Sequence, residues 1–153
     1  MLYCGVLADY FCNEDPVLSV ADVDLFQSET KFNLDRARKI ALESAKQCGS
    51  VYLSQVNDLV DFDEVVGTFK DFDRVIFAYE NEKVHTVREA VAGAKNIALV
   101  VGPEGGFSGL ECQKALENGA DVVTLGRRIL RAETASIVTL ALALEHLGEL
   151  DYD

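Results

Sequence analysis

The chain has 153 residues, with 26 acidic side chains against 14 lysines and arginines, for a formal charge of −12. This length suits one domain that buries roughly two-thirds of its unfolded surface without staples. The charge argues against a stand-alone binder of phosphate backbones or anionic membranes.

Residues 2–11 are β-prone but interrupted by Gly5 and Asp9, and Asn13-Glu14-Asp15-Pro16 reads as a turn. Over residues 17–26 apolar and acidic side chains alternate, Val23 and Leu25 against Asp22 and Asp24, which predicts a strand. Ala37, Ile40, Ala41, Ala45 and Cys48 then recur at helical spacing, with Gly49 as the stop. Lys31, Arg36, Arg38, Lys39 and Lys46 outnumber the acids there. That makes it the one basic helix of an acidic protein, either a solvated face or a phosphate-contacting patch.

A strand is expected at residues 51–56, then a helix marked by Leu59, Phe62, Val66 and Phe69, whose acids Asp58, Asp61, Asp63 and Glu64 point to a solvent face. Residues 74–79 form the next strand and run into Glu80-Asn81-Glu82. Val84, Val87 and Val91 line a helix on which His85 is read as a surface residue.

The run from 96 to 135 organises the rest. Ile97 to Val101 is a continuous apolar stretch, as a fully buried strand shows. In Gly102-Pro103-Glu104-Gly105-Gly106 the proline pushes Gly102 out of helical space, and the two later glycines permit positive φ or close backbone approach. Ser108 and Glu111 have capping-box spacing, opening a helix that should bury Cys112, Ala115 and Leu116 and stop at Gly119. A strand at 121–124 leads into Leu125-Gly126 and a basic loop with Arg127, Arg128 and Arg131. Two strand ends separated by one crossover helix therefore both carry glycine loops, and in an open parallel sheet such ends share the edge where ligands bind.

The closing helix, residues 134–148, is apolar on every side. Such a helix must be covered all round, here by the sheet and by a partner subunit. His146 near its end suits the helix dipole without any catalytic role. The repeating strand-helix pattern gives an α/β fold: about five parallel strands with helices on both faces.

Several chemistries are excluded. There is no phosphate-binding G-x-x-x-x-G-K-[ST] loop, no H-E-x-x-H and no G-x-S-x-G, and the glycine loop does not match G-x-G-x-x-G. Cys4, Cys12, Cys48 and Cys112 form no C-x-x-C pair and no zinc spacing with the two histidines, so reduced thiols and no metal site are expected. The start lacks a basic region followed by a long apolar core, and the longest apolar helical stretch, residues 135–144, is too short for a bilayer. A cytoplasmic protein without membrane attachment is the expectation.

Residues 101–108, Val-Gly-Pro-Glu-Gly-Gly-Phe-Ser, followed by residues 125–135, Leu-Gly-Arg-Arg-Ile-Leu-Arg-Ala-Glu-Thr-Ala, resemble the paired signatures of the ribosomal RNA small subunit methyltransferase E (RsmE) family of SPOUT methyltransferases. Weaker similarity extends upstream through residues 26–29 and 40–49, so the resemblance covers roughly residues 22 to 150. It implies a SPOUT-type α/β fold with a C-terminal deep trefoil knot, which general topology rules would not suggest. It also implies a homodimer that binds S-adenosyl-L-methionine (SAM) in the knot and methylates N3 of a uridine in 16S small-subunit ribosomal RNA, with the ribosomal RNA or small ribosomal subunit as partner.

By the same resemblance the cofactor site falls on Phe77, Ala78, Tyr79 and Glu80, on Gly102, Pro103, Glu104, Gly105 and Gly106, and on Leu125, Gly126, Ile129 and Leu130. Glycine loops expose main-chain groups to adenine and methionine, and Leu125, Ile129 and Leu130 can cover the ring. Glu133 is the candidate for handling the N3 proton, with helix capping as its structural alternative. Arg131 is the candidate for holding a phosphate or the charge developing on uracil, with an ion pair to Glu133 or Glu104 as the alternative.

The sequence departs from the family pattern at Arg127, where proline is usual, and at Ala132, where threonine is usual. The first adds a cation and the second removes a hydroxyl. Residues 1–20 match neither the family's N-terminal RNA-binding barrel nor the strand and helix after that barrel, so the whole chain reads as a single SPOUT-like methyltransferase domain. RNA affinity would then rest on the basic helix and on Arg127, Arg128 and Arg131 of a neighbouring subunit. A dimeric SAM-binding module that has lost RNA methylation is the alternative.

Overall fold

The computed structural model describes residues 2–7 and 19–25 as backbone, together with residues 33–48, 53–58 and 60–151. Its strands are β1 (Leu2–Leu7), β2 (Ser19–Leu25), β3 (Gln55–Val56), β4 (Arg74–Ala78), β5 (Ile97–Val101) and β6 (Asp121–Val123). Its helices are α1 (Leu34–Cys48), α2 (Phe62–Thr68), α3 (Val87–Val91), α4 (Gly109–Glu117) and α5 (Ala132–His146), with a 3-10 turn at Phe69–Asp71.

The strands form one sheet in the order β3-β2-β1-β5-β4-β6. β4 runs parallel to both β5 and β6, and β2 runs parallel to β3. β1 is antiparallel to its neighbours β2 and β5. The sheet is therefore mixed, which corrects the all-parallel expectation. β1 meets β5 through Val6↔Leu99, and no period-2 pattern in residues 2–7 reveals the direction of pairing.

Why β4 and β5 are continuous apolar runs is clear from their two covered faces. Val75, Phe77, Ala98, Val100 and Val122 point to a core shared with Val65 and Val66 of α2, Phe69, and Cys112 and Ala115 of α4. Ile76, Ile97, Leu99 and Val123 point the other way, to Val87 and Val91 of α3 and Ala143 of α5. The side-chain period of two thus divides each strand between two helix layers.

Local chemistry fixes where the elements start. Ser108 accepts from the Glu111 amide while the Glu111 carboxylate accepts from the Ser108 amide, closing the capping box ahead of α4. Thr86 and Glu89 make the same pair ahead of α3. Asp73 Oδ2 accepts from the amides of Lys95 and Asn96, each at 3.0 Å, and so pins the entry of β5 beside that of β4.

Two expectations are revised. Leu116 is 53% exposed, because the buried stripe of α4 centres on Cys112 and Ala115 and Leu116, one residue past Ala115, falls at its margin. Val84 is 74% exposed and precedes α3, which begins only after its Thr86 cap. The apolar α5 buries Ala135, Thr139 and Ala143 against the rest of the chain, whereas Ile137 on its far side is 69% exposed.

Phe77 is fully buried, with its ring 4.2 Å from that of Phe107 between centroids and 6.4 Å from that of Phe62. Phe77→Ala should cost about 3–5 kcal/mol through the cavity it leaves, measured by urea denaturation. A loss below about 1 kcal/mol would contradict this packing role.

Candidate functional site

Because β5, β4 and β6 lie side by side and run the same way, their C-terminal ends open on one edge of the sheet. The loops leaving β5 and β6 stand on either side of the end of β4. Between them is a cavity of about 310 Å³, within the range of small-molecule pockets, about 300–1,000 Å³.

Ala78, Val101 and Ala135 form its apolar floor, with Leu125 and Leu130 packed on them. Gly102, Pro103, Glu104, Gly105 and Gly106 make one wall. Gly126, Arg127, Arg128 and Ile129 make the facing wall, and Tyr79, Glu80 and Lys83 close the side. Ile129 is 83% exposed at the mouth, an apolar side chain left open among the described residues.

Of the residues singled out from sequence, the structure brings Ala78, Tyr79, Glu80, Gly102 to Gly106, Leu125, Gly126, Ile129 and Leu130 to this cavity. Phe77 is not there, because alternation along β4 turns it into the aromatic core below. Arg131 and Glu133 do not line it either. Ala132 and Ala135, one helical turn apart, occupy the face of α5 that meets the cavity, so Glu133 between them projects to solvent.

Arg131 is the N-cap of α5 and is exposed, and its carbonyl accepts from the Ala135 amide at 2.7 Å. Among the described residues it makes no ion pair with Glu133 or Glu104, and Glu133 makes no side-chain cap. Arg127 and Arg128 also lack ion pairs among the described residues. On the basic helix, by contrast, Arg38 is held by Asp58 at 2.8 Å, and Lys39 lies 3.8 Å from Glu43.

Two glycines have close neighbours. Gly106 has φ +68°, and an added Cβ would collide with Glu80 Oε1 and stand 2.8 Å from Oε2. The Glu80 carboxylate thus lies directly on the glycine. At Gly102 a Cβ would stand 3.0 Å from the Phe107 ring.

Lys83 was missed in the sequence because it sits in a polar run with no apolar period. The loop that carries it is built from its own polar groups. Its ammonium donates to the Glu80 carbonyl, and Glu82 Oε1 accepts from the amides of Lys83 (2.8 Å), Val84 (2.7 Å) and His85 (3.2 Å). The Thr124 amide donates to the His85 carbonyl at 2.8 Å, fastening the loop to the end of β6. The amides of Val84, His85 and Lys83 hold the Glu82 carboxyl below the usual carboxylate range.

A second cavity, about 480 Å³, lies between α3, α4 and β6. Its carboxylates Glu82, Glu89 and Asp121 are engaged by loop amides, by the Thr86 cap and by Arg74 at 4.0 Å, and burial pushes its Cys112 thiol up, away from a reactive thiolate. Among the described residues no group of three His, Cys, Asp or Glu side chains could hold a metal ion, and no helix is long and apolar enough to cross a membrane.

A family model described as an RNA methyltransferase domain matches residues 17–144. This chain belongs to that family. Ribosomal RNA small subunit methyltransferase E of Mesomycoplasma hyopneumoniae is 33% identical over 107 residues, 70% of this chain and 46% of the relative. The protein of that name from Bacillus subtilis is 30% identical over 135 residues, 84% of this chain and 52% of the relative. The crystal structure of the Neisseria gonorrhoeae methyltransferase E bound to S-adenosyl methionine has a TM-score of 0.67 at 29% identity, covering 73% of this chain and 47% of that one. The chain spans about half the length of the relatives it matches. The likeness carried by the two loop motifs is thus borne out across the RNA methyltransferase region.

Two outcomes are expected here. Gly106→Ala should lose about 1–3 kcal/mol, from left-handed strain and displacement of Glu80, in a denaturation experiment in which Gly109→Ala, with nothing within 4 Å, serves as the comparison. The folded-state pKa of Glu82 lies below its unfolded value, so its contribution is present above about pH 4.5 and lost as pH falls through the folded value. The protection factors of the amides of residues 83–85, taken after division by the intrinsic pH-dependent exchange rate, should therefore fall on acidification in the native protein and stay level in Glu82→Gln.

Proposed function

We propose that this chain is the catalytic part of a SAM-dependent methyltransferase that modifies N3 of a uridine in 16S small-subunit ribosomal RNA. The observation that carries the reading is the convergence of the two glycine loops on one cavity at the ends of β5, β4 and β6.

The residues present suit the donor. Gly106 lets the Glu80 carboxylate rest on its main chain in the cavity wall, Gly126 adopts φ +110° with open space beside it, and Ile129 offers uncovered apolar surface. Main-chain groups of Gly102, Gly105 and Gly106 would hold the polar edges of the ligand, and Leu125, Ile129 and Leu130 would cover the adenine. Ala78, Tyr79, Glu80, Pro103, Glu104 and Gly126 complete that set. When bound, the donor supplies an electrophilic methyl on a sulfonium, which needs neither metal nor covalent enzyme intermediate. The task left to the chain is alignment of the uracil nitrogen with that methyl and exclusion of water.

Arg127, Arg128 and Arg131 are assigned to the RNA side. They are exposed cations at or beside the mouth, without ion pairs among the described residues, on a chain that is otherwise strongly acidic. Arg131 would hold a phosphate or the charge developing on uracil. Glu133, outside the cavity on the solvent side of α5, is not assigned the proton.

The reading includes a homodimer through the exposed apolar side of α5, where Ile137 and the half-buried Leu140 and Leu144 lie along a helix with few charges. It also includes a C-terminal trefoil knot, supported by a β6–α5 connection that lines the same cavity as the loop after β5. Action on ribosomal RNA implies a cytoplasmic location.

The test is calorimetry with SAM, followed by mass spectrometry of small-subunit RNA after incubation with the protein and donor. Gly105→Val should abolish donor binding by blocking the main chain, whereas Arg131→Ala should bind the donor normally and methylate roughly tenfold more slowly or worse, as expected for a lost charged hydrogen bond. Absence of donor binding by the native chain would end the reading. Binding without any methyl transfer to the subunit would favour a donor-binding module that has lost the reaction.

A further inference from the structure

Two carboxylates, Glu80 and Glu104, line the cavity. Glu104 stands exposed in its turn, whereas Glu80 is half-buried with both oxygens against Gly106. Among the described residues the Glu80 carboxylate has no hydrogen bond and no ion pair. Lys83, three residues on and in the same wall, sends its ammonium to the Glu80 backbone carbonyl and leaves the side chain free. An unpaired, half-buried carboxylate in a cavity wall is a ready acceptor for donors of a bound ligand.

We infer that Glu80 is the residue that accepts both hydroxyls of the donor's ribose. This rests on the methyl-donor reading above and deepens it. A carboxylate with two oxygens on one side matches a vicinal diol, since each oxygen takes one O–H. The other strong donor of the ligand, its α-ammonium, is disfavoured there because Lys83 already places a positive charge beside Glu80. A neutral diol meets no such repulsion. Gly106 then has a second purpose: any side chain at that position would push the acceptor pair away from the ligand.

The experiment measures the affinity of the full chain for S-adenosylhomocysteine, for methylthioadenosine, which keeps the diol but lacks the ammonium, and for the 2′,3′-dideoxy form of methylthioadenosine. The native protein should prefer methylthioadenosine over its dideoxy form by about tenfold or more, as for hydrogen bonds to a charged acceptor. Glu80→Ala should weaken S-adenosylhomocysteine and methylthioadenosine by a similar factor, leave the dideoxy ligand unchanged and so erase the preference. Glu80→Gln, which keeps the shape and one good acceptor, should fall between. The inference is overturned if the native protein shows no preference for the diol, if Glu80→Ala weakens all three ligands alike, if it weakens S-adenosylhomocysteine alone, or if Glu104→Ala erases the preference instead. Failure of the native chain to bind any of the three would overturn the donor reading and this inference together, whereas binding without diol preference removes the inference alone.

Discussion

The parallel pairing of β4 with both β5 and β6 is the constraint from which the site derives. It places the strand that is middle in space before the other two in sequence, so the chain must leave β4, come back as β5 on one side, and return as β6 on the other. Loops that are remote in sequence thereby face each other across one strand end. Asp73 fixes the relative height of β4 and β5 at the opposite edge, and the Tyr79 amide, bonded to the Val123 carbonyl at 3.0 Å, fixes that of β6. The cavity is therefore held from below by pairing and cross-strand hydrogen bonds, and its walls need only be loops of suitable composition.

Elements whose reasons are local were legible in the sequence. β5 was readable to the residue, because a strand covered on both faces has no polar positions to blur its ends. The start of α4 was readable because Ser108 and Glu111 satisfy each other's backbone partners. The two glycine loops were readable because proline and glycine restrict or free φ whatever surrounds them. The direction of β1 was not, since antiparallel and parallel partners ask the same of a short β-prone segment.

Two of the residues singled out from sequence stand off the cavity for reasons of local geometry. Along β4, Ala78 reaches the cavity and Phe77 cannot, because successive side chains leave opposite faces. Along α5, Ala132 and Ala135 reach it and Glu133 cannot, because a helix returns to the same face after three or four residues. Lys83 was invisible for a different reason: it reaches the cavity wall through a loop shaped by hydrogen bonds of Glu82 and Glu80, and no apolar period marks such a loop.

One wall of the cavity, continuous with its floor at Ala135, is not a loop at all but the opening turn of α5, and its contribution consists of Ala132 and Ala135. Loops shift when they are altered, whereas a helix anchored at its far end by Ala143 in the core holds its backbone. Volume at that wall can thus change one methyl group at a time, with the strand ends and glycine turns left undisturbed. Discrimination by size and attraction for the ligand are written in separate parts of the chain, and selection can adjust either without rewriting the other.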